Sequence, residues 1–180
     1  MGKVHETIDE PLRRWIERQP MFFVGTAALE ADGTVNVSPK GTAGTLCVLD
    51  ERRCAYLDLT GSGIETVAHL RQNGRITLMW CAFEGPPRIV RVHGRGRVVT
   101  PGDDDFSELA GRFAAQRGAR AVIEITAERI SDSCGYSVPL MDHVEDRDTL
   151  TKWAAKRSDE ELAEYRATKN ARSIDGLPGL

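Results

Sequence analysis

Short strand-like segments, separated by turns rather than by regular helices, place the strongest limit on how this chain can fold. About seven segments are rich in β-branched and aromatic residues or alternate between apolar and polar positions, beginning with Met21–Leu29 and ending with Ala121–Ile130. They do not alternate with helices in a repeated βαβ order, which argues against a doubly wound parallel sheet. The pattern predicts a mainly β (α+β) protein built on a small antiparallel barrel.

Turn residues predict where the first strands reverse. Asp32-Gly33 is typical of a two-residue hairpin turn, because this pair tolerates the positive φ angles that such a turn requires. Val35–Ser38 would be the returning strand. Pro39 cannot donate a ladder hydrogen bond, so we expect this strand to end or bulge there. Lys40 would then lie at the rim of the sheet, where a lysine can meet an anion.

The stretch Tyr56–Trp80 predicts a strand, a glycine-rich turn at Thr60–Gly63, a short helix and a second strand. Ser62 and Glu65 have the spacing of a capping box, which predicts that the helix starts at Ser62, and Gly74 would end it in the left-handed conformation. The free N–H groups of a helix start attract anions. However, the stretch completes neither a dinucleotide fingerprint nor a P-loop. From these residues alone, an anion site and a ligand-free capped helix both stay open.

Basic residues alternate along the predicted strand Arg88–Thr100. They are Arg91, His93, Arg95 and Arg97. This row could bind an anion or RNA, or it could be an outward face paired with Glu124 and Glu128 on a neighbouring strand. The net charge of −3 and the lack of interleaved aromatic residues favour the paired face. We therefore expect no nucleic acid as a partner.

Helical patterns occur at both ends of the chain and before the last strand. The sequence predicts helices over Thr7–Gln19, Asp103–Gln116, Asp148–Lys156 and Ser158–Asn170. The last of these has a capping box at Ser158 and Glu161. By composition, the tail Ser173–Leu180 looks loose, although its final residues could lie across another surface. We divide the chain into a barrel domain, residues 1–132, and a C-terminal loop and helical extension, residues 133–180.

Composition limits the class of protein, the compartment in which we expect it and the kinds of site that it can contain. Apolar residues make up 41% and charged residues 28% of the chain, as in ordinary globular proteins. No apolar run reaches the roughly 20 residues of a membrane span, and the N-terminal residues lack a signal-peptide pattern. We expect a cytoplasmic protein with no membrane partner. The four cysteines show no C-x-x-C spacing and the four histidines no ligand spacing, so we expect reduced thiols and no metal.

Two segments of the chain resemble a known family. They are VNVSPKG, Val35–Gly41, and LDLTGSGIETVAHLRQNGRITLMWCAFEGPPRIVRVHGRGRVV, Leu57–Val99. In their order and spacing they are similar to the pyridoxamine 5′-phosphate oxidase-like family, the FMN-binding split β-barrels, and the resemblance spans about Leu12 to Ile130. It implies a six- to seven-stranded antiparallel split β-barrel with short peripheral helices. It also implies a homodimer that holds FMN at the subunit interface, with residues 133–180 packing on the barrel or on the partner subunit.

The resemblance also assigns residues to the flavin. Lys40, at the end of the second strand, and the stretch Ser62, Gly63, Glu65 and Thr66 would hold the flavin phosphate. The flavin ring edge would lie along two segments, Val37-Ser38-Pro39 and Asp58-Leu59-Thr60. Thr66 stands where the family has a lysine, and Val35 stands where it has an arginine.

Several functions are compatible with this barrel. The resemblance implies a flavin-dependent oxidoreductase acting on an unidentified small molecule, with FMN preferred and a deazaflavin as the second choice. A flavin supplies its own redox chemistry, so no catalytic side chain is assigned. A deazaflavin-dependent reductase, a non-catalytic flavin or haem carrier and a ligand-free interaction module are the alternatives. The C-terminal Arg and His of a true pyridoxamine-phosphate oxidase have no match in Asn170–Leu180, so we do not expect that activity.

Overall fold

The computed structural model describes residues 2–180, which contain eight strands and five helices. In chain order they are β1 (Val4–His5), α1 (Glu10–Glu17), β2 (Phe22–Ala27), β3 (Val35–Lys40), β4 (Leu46–Val48), β5 (Arg53–Leu59), α2 (Glu65–Asn73), β6 (Arg75–Cys81), β7 (Ile89–Val99), α3 (Phe106–Ala110), β8 (Ala119–Ser133), α4 (Thr149–Ala155) and α5 (Asp159–Lys169).

Seven of these strands form one antiparallel sheet in the order β3-β2-β6-β7-β8-β5-β4, and β1 pairs with β8. The sheet curls into a half-barrel whose two ends, β3 and β4, do not pair with each other. The predicted fold class is therefore confirmed. The additional strand is the two-residue β1, which is too short to produce a recognisable pattern in the sequence.

The concave side of the sheet holds the main apolar core. Phe22 packs against Tyr56 and Trp80, with ring centroids 5.5 and 5.9 Å apart. α1 adds Leu12 and Ile16 to this cluster, and both are 1% exposed. Other buried members come from α2 and the central strands, namely Val67, Leu70, Leu78, Val92 and Ile123. α2 thus lies against the barrel with most of its length buried, which fixes the position of its first turn.

Two helix predictions, Thr7–Gln19 and Asp103–Gln116, are longer than the helices in the structure. α1 begins at Glu10 after its N-cap Asp9, whose carboxylate accepts a hydrogen bond from Leu12 N at 2.9 Å, and it ends at Glu17 instead of Gln19. Only Phe106–Ala110 is helical within the predicted helix Asp103–Gln116. The capping box of α5 is confirmed, because Ser158 and Glu161 each bond the other's backbone N–H.

The predicted turn chemistry at Asp32-Gly33 is wrong, although a hairpin does join β2 and β3. Residues 28–34 connect the strands, and Gly33 does not have a positive φ angle. A Cβ on Gly33 would instead lie 2.5 Å from the Cβ of Ala28, so glycine is required there for space. β3 also continues through Pro39 to Lys40, contrary to the predicted end at Pro39. Proline is tolerated there because β3 is an edge strand.

Two members of the basic row on β7, Arg95 and Arg97, are paired with acidic residues, as the sequence favoured. Arg95 Nε lies 3.0 Å from Glu128 Oε1, and Arg97 Nη2 lies 2.6 Å from Glu124 Oε2. Both acidic residues lie on β8, which is hydrogen-bonded to β7 along its length. Arg95 and Arg97 therefore form a cross-strand ladder of ion pairs on the outer face of the barrel, whereas Arg91 and His93 contact the hydroxyls of Ser133 and Thr77.

The C-terminal tail packs against the barrel, so the looseness suggested by its composition is wrong, whereas the alternative that its final residues lie across another surface agrees with the structure. Leu180 packs on the main core, and Ser173 is buried. Thr34, next to β3, donates from its hydroxyl to Asp175 at 2.6 Å. Composition misled because the tail's contacts are long-range.

No helix within residues 2–180 is both long enough and apolar enough to span a membrane. Within the same residues the four cysteines are free, and no group of three or more His, Cys, Asp or Glu side chains could hold a metal ion.

Candidate functional site

A pocket of about 350 Å³ lies where the ends of β3 and β5 meet the start of α2. Eight of the eleven residues assigned from the sequence line it, namely Ser38, Pro39, Lys40, Asp58, Leu59, Gly63, Glu65 and Thr66. Thr60 and Ser62 line an adjoining, larger cleft instead. Val37 points away, 65% exposed on the edge strand. The structure therefore gathers most of the assigned residues in one place.

Three charged side chains on three strands form the polar centre of this pocket. Asp58, which is 1% exposed, accepts hydrogen bonds from Lys40 Nζ at 3.0 Å and from Arg120 Nε at 2.7 Å. Burial on its own raises the pKa of Asp58. The charges of Lys40 and Arg120, together with their hydrogen bonds, outweigh burial and hold that pKa below its usual value. Asp58 is thus an anion with two cationic partners.

Arg120 is the residue of this site that reasoning from the sequence missed. It is 5% exposed, and besides Asp58 it donates to Gly63 O at 2.7 Å and to the side-chain oxygen of Asn170 at 2.8 Å. It therefore ties β8 to the glycine turn and to the end of α5. The only local signal was a single arginine at the start of the apolar run of β8, and a strand start is usually exposed.

The glycine turn differs from its prediction. The helix begins at Glu65 with Ile64 as its N-cap, while Ser62 is exposed and caps nothing. Glu65 does accept from the backbone N–H of the N-cap residue, at 2.9 Å, as its assigned role required, but that residue is Ile64. The carbonyls of Gly61 and Gly63 face Arg120, and neither glycine has a positive φ angle. Arg120 thus orders the turn where a serine cap was expected. The predicted left-handed end at Gly74 is confirmed.

A hydrogen-bonded network of uncharged groups supports Ser38 and Thr66, which line the pocket. The amide of Asn36 donates to the hydroxyls of Thr26 and Thr66, each at 3.1 Å. Its oxygen accepts from Ser38 at 2.9 Å. Because the Thr66 oxygen accepts the amide hydrogen, the Thr66 hydroxyl can donate its own proton, either to a ligand or to the nearby Tyr56 oxygen. The Ser38 hydroxyl, by contrast, already donates its proton to Asn36.

Arg166 of α5 brings a third cation close to the pocket. Its Nε donates to the Thr60 hydroxyl at 2.9 Å, and that hydroxyl donates to Gly118 O at 2.7 Å. Burial, and secondarily the nearby charge of Arg120, lowers the pKa of Arg166 below its usual value. The extension therefore reaches the site through Arg166 and Asn170, and its Leu150 lines the pocket directly.

The residues present fit the phosphate end of a flavin mononucleotide. Lys40 uses one of its three N–H donors on Asp58, and its side chain is 26% exposed. The first-turn N–H groups of α2 have no partner within the helix, as at any helix start. The Thr66 hydroxyl adds a donor. Arg120 does not face a ligand freely, because its hydrogen bonds go to Asp58, Asn170 and the turn.

An antiparallel half-barrel with an anion-suited pocket between a strand end and a helix start defines a class of protein, and comparison with known families agrees. The family model described as pyridoxamine 5′-phosphate oxidase matches residues 8–134. The chain is also 40% identical over 192 residues to the pyridoxamine 5′-phosphate oxidase family protein ustO of Aspergillus flavus. That match covers 98% of this chain and 77% of ustO. The chain belongs to the pyridoxamine 5′-phosphate oxidase family.

Solved structures show the same fold. A variant of HupZ from Group A Streptococcus is 24% identical, with a TM-score of 0.54, and the match covers 70% of this chain and 99% of that one. A second HupZ structure gives a TM-score of 0.52 at 24% identity and covers 68% of this chain and 91% of its own. Both matches leave part of this chain uncovered.

Proposed function

We propose that this protein is an FMN-binding flavoprotein that acts as an oxidoreductase on a small molecule. The observation that carries the proposal is the pocket in which Lys40, the first turn of α2 and the Thr66 hydroxyl converge. A lysine with spare donors and a helix start are both suited to a phosphate group. Membership of the family supports a flavin as the ligand.

Each residue of the pocket has a defined part in this proposal. Lys40 and Thr66 bind the phosphate, and Asp58 keeps the Lys40 ammonium at the pocket wall. Arg120 and Glu65 fix the turn and the helix start. When bound, the flavin supplies the redox chemistry. The chain's own contribution is to bind and orient it through the ends of β3 and β5, where Ser38, Pro39, Leu59 and Thr60 lie.

The visible spectrum and the mass of the released cofactor test the proposal most directly. We expect the purified protein to absorb at about 450 nm, as oxidised flavin does, and to release FMN on denaturation. A deazaflavin or a haem would be identified by the same mass measurement and would favour the alternative reductase or carrier. Bleaching of the band by NAD(P)H would distinguish a catalyst from a carrier. A colourless protein that takes up no added flavin would contradict the proposal.

A homodimer with the flavin at the subunit interface is part of the proposal. The edge strand β3 carries Val35 and Val37 with 70% and 65% of their surfaces exposed, beside the residues that line the pocket. Exposed apolar side chains on an unpaired edge strand are usually covered by another chain. Sedimentation of the flavin-loaded protein should give the mass of a dimer. A monomer that retains its full flavin content would contradict this part.

Substitution of Lys40 tests the assigned pocket. Lys40→Ala should weaken FMN binding by about 1.5–3 kcal/mol, because it removes a charge-assisted hydrogen bond. Lys40→Arg keeps the charge and should retain part of the affinity. Lys156→Ala, an exposed lysine after α4, is the matched control and should bind as the parent does. Isothermal titration with FMN gives the three affinities. Equal affinities for the parent and Lys40→Ala would place the phosphate elsewhere.

A further inference from the structure

A cleft of about 1780 Å³ adjoins the pocket and separates the barrel from the C-terminal extension. The two cavities share five lining residues, namely Pro39, Gly41, Thr42, Gly61 and Leu150. The volume exceeds the roughly 300–1,000 Å³ of a typical pocket for one small ligand. The cleft therefore has room for a second molecule next to one bound in the pocket.

Aromatic side chains are concentrated in this cleft. The chain contains three tryptophans and three tyrosines. Trp80 and Tyr56 are buried in the core. The other four line the cleft, and they are Trp15, Tyr136, Trp153 and Tyr165. Every tryptophan and tyrosine outside the core thus faces one cavity, and these residue types supply large contact areas at low entropic cost.

Two of these rings are held in place by neighbouring side chains. The ring of Trp153 lies 5.0 Å from that of Tyr165 at an interplanar angle of 72°, and the Arg157 guanidinium covers it at 3.9 Å. On the opposite side of the cleft, Arg88 lies 5.0 Å from the Trp15 ring and donates to Asp132 at 2.9 Å. Preorganised rings lose little freedom when a ligand binds.

The segment 134–148, which we call the strap, closes the outer side of the cleft. It is attached to the barrel at two points. Met141 N donates to Phe83 O at 3.0 Å, and Ala43 N donates to Asp146 at 3.0 Å. Among the charged residues that line the cleft, five carboxylates face three arginines. This excess of carboxylates disfavours an anionic ligand.

We propose that the cleft binds a planar aromatic molecule without negative charge, and that it is the substrate site of the flavoprotein. The second half of this proposal rests on the function proposed above, because only a bound flavin makes the adjoining pocket a redox centre. The first half concerns the cleft alone, and it can be tested on protein that contains no flavin.

Fluorescence titration of flavin-free protein with N-phenyl-1-naphthylamine, an uncharged probe that carries a planar naphthyl ring, measures this binding. Trp153→Ala should weaken the probe's affinity about three- to tenfold, as expected for the loss of one aromatic contact. Tyr136→Ser should weaken it in the same direction and carries little risk of misfolding, because Tyr136 is 83% exposed. Val144→Ala is the control, since Val144 is 89% exposed on the strap and does not line the cleft.

Competition with other small molecules tests which chemical class of ligand the cleft binds. Naphthalene should displace the probe, whereas decalin of similar size and 2-naphthoate of negative charge should displace it at least several-fold less well. Equal displacement by all three, or equal probe affinity in the parent, Trp153→Ala and Tyr136→Ser, would overturn the proposal. The proposal would also be overturned if the probe bound only at protein concentrations low enough to give monomer. A second copy of the chain would then fill the cleft.

FMN titration of the same variants separates this proposal from the proposed function. Trp153→Ala and Tyr136→Ser should bind FMN like the parent, because neither residue lines the pocket. If FMN binds in a Lys40-dependent way and the probe results fail, only the cleft proposal falls. If the probe results hold and no flavin binds, the proposed function falls, and with it the role of the cleft as a substrate site.

Discussion

The Arg95–Glu128 pair of the ladder between β7 and β8 and the Lys40–Asp58–Arg120 cluster both join strands by opposite charges, but they differ in burial. In the ladder, Arg95 and Glu128 are each 58% exposed. In the cluster, Asp58 and Arg120 are 1% and 5% exposed. Exposed pairs contribute about 0–1 kcal/mol because water and salt screen them. Leaving a buried charge without its partner destabilises a protein far more. Removing one partner should therefore lower stability more in the cluster than in the exposed pair.

The largest effect should come from Asp58→Asn. This change leaves the buried Arg120 guanidinium and the Lys40 ammonium without their anion, and we expect a loss of about 3–5 kcal/mol in the free energy of unfolding. Urea denaturation of the flavin-free protein measures it. A loss below about 1 kcal/mol, similar to a surface pair, would show that burial does not distinguish the two regions.

The stability of the protein at low pH should depend on the same cluster. The pKa of Asp58 is held below its usual 3.8 by Lys40 and Arg120 in spite of burial, so the unfolded state binds its proton more readily. The contribution of Asp58 to stability is therefore complete above about pH 4 and disappears as the pH falls through the lower, folded-state pKa. Urea midpoints between about pH 5 and 2.5 should fall more steeply for the parent than for Asp58→Asn. Parallel curves would contradict this assignment.

Asn170→Ala should have an intermediate effect. Asn170 is fully buried, and it accepts from Arg120 at 2.8 Å and donates to Gly61 O at 2.9 Å. Its loss leaves polar partners without a hydrogen bond, at a cost of about 1–3 kcal/mol. FMN affinity should fall as well, because Asn170 and Arg120 together position the glycine turn. Reduced stability with unchanged FMN affinity would mean that the turn does not contribute to the pocket.

The smallest effect should come from Glu128→Gln. The Arg95–Glu128 pair is exposed, and we expect a change of less than about 1 kcal/mol that shrinks further in salt. Urea denaturation in low and high salt measures it, and the variant also serves as the surface control for Asp58→Asn. A loss as large as that of Asp58→Asn would remove the contrast between ladder and cluster.

Local patterns in the sequence determined much of this molecule. The strand segments, the antiparallel barrel, the capping box of α5 and the pairing of Arg95 and Arg97 on β7 were all predictable. Each depends on residues close in sequence or on side-chain alternation along a strand, which a linear pattern records. The resemblance of two segments also located eight residues of the pocket.

Tertiary structure alone decided the electrostatics of the site. Arg120 reaches Asp58 from 62 residues away and Asn170 from 50 residues away, and no local pattern reports such contacts. Arg120 also contacts the carbonyls of the glycine turn, and the N-cap of α2 is Ile64 instead of the predicted Ser62. The tail was misjudged for a related reason: its polar composition says nothing about the barrel surface that it covers. Long-range packing determines which charges are buried, and burial determines what each charge does.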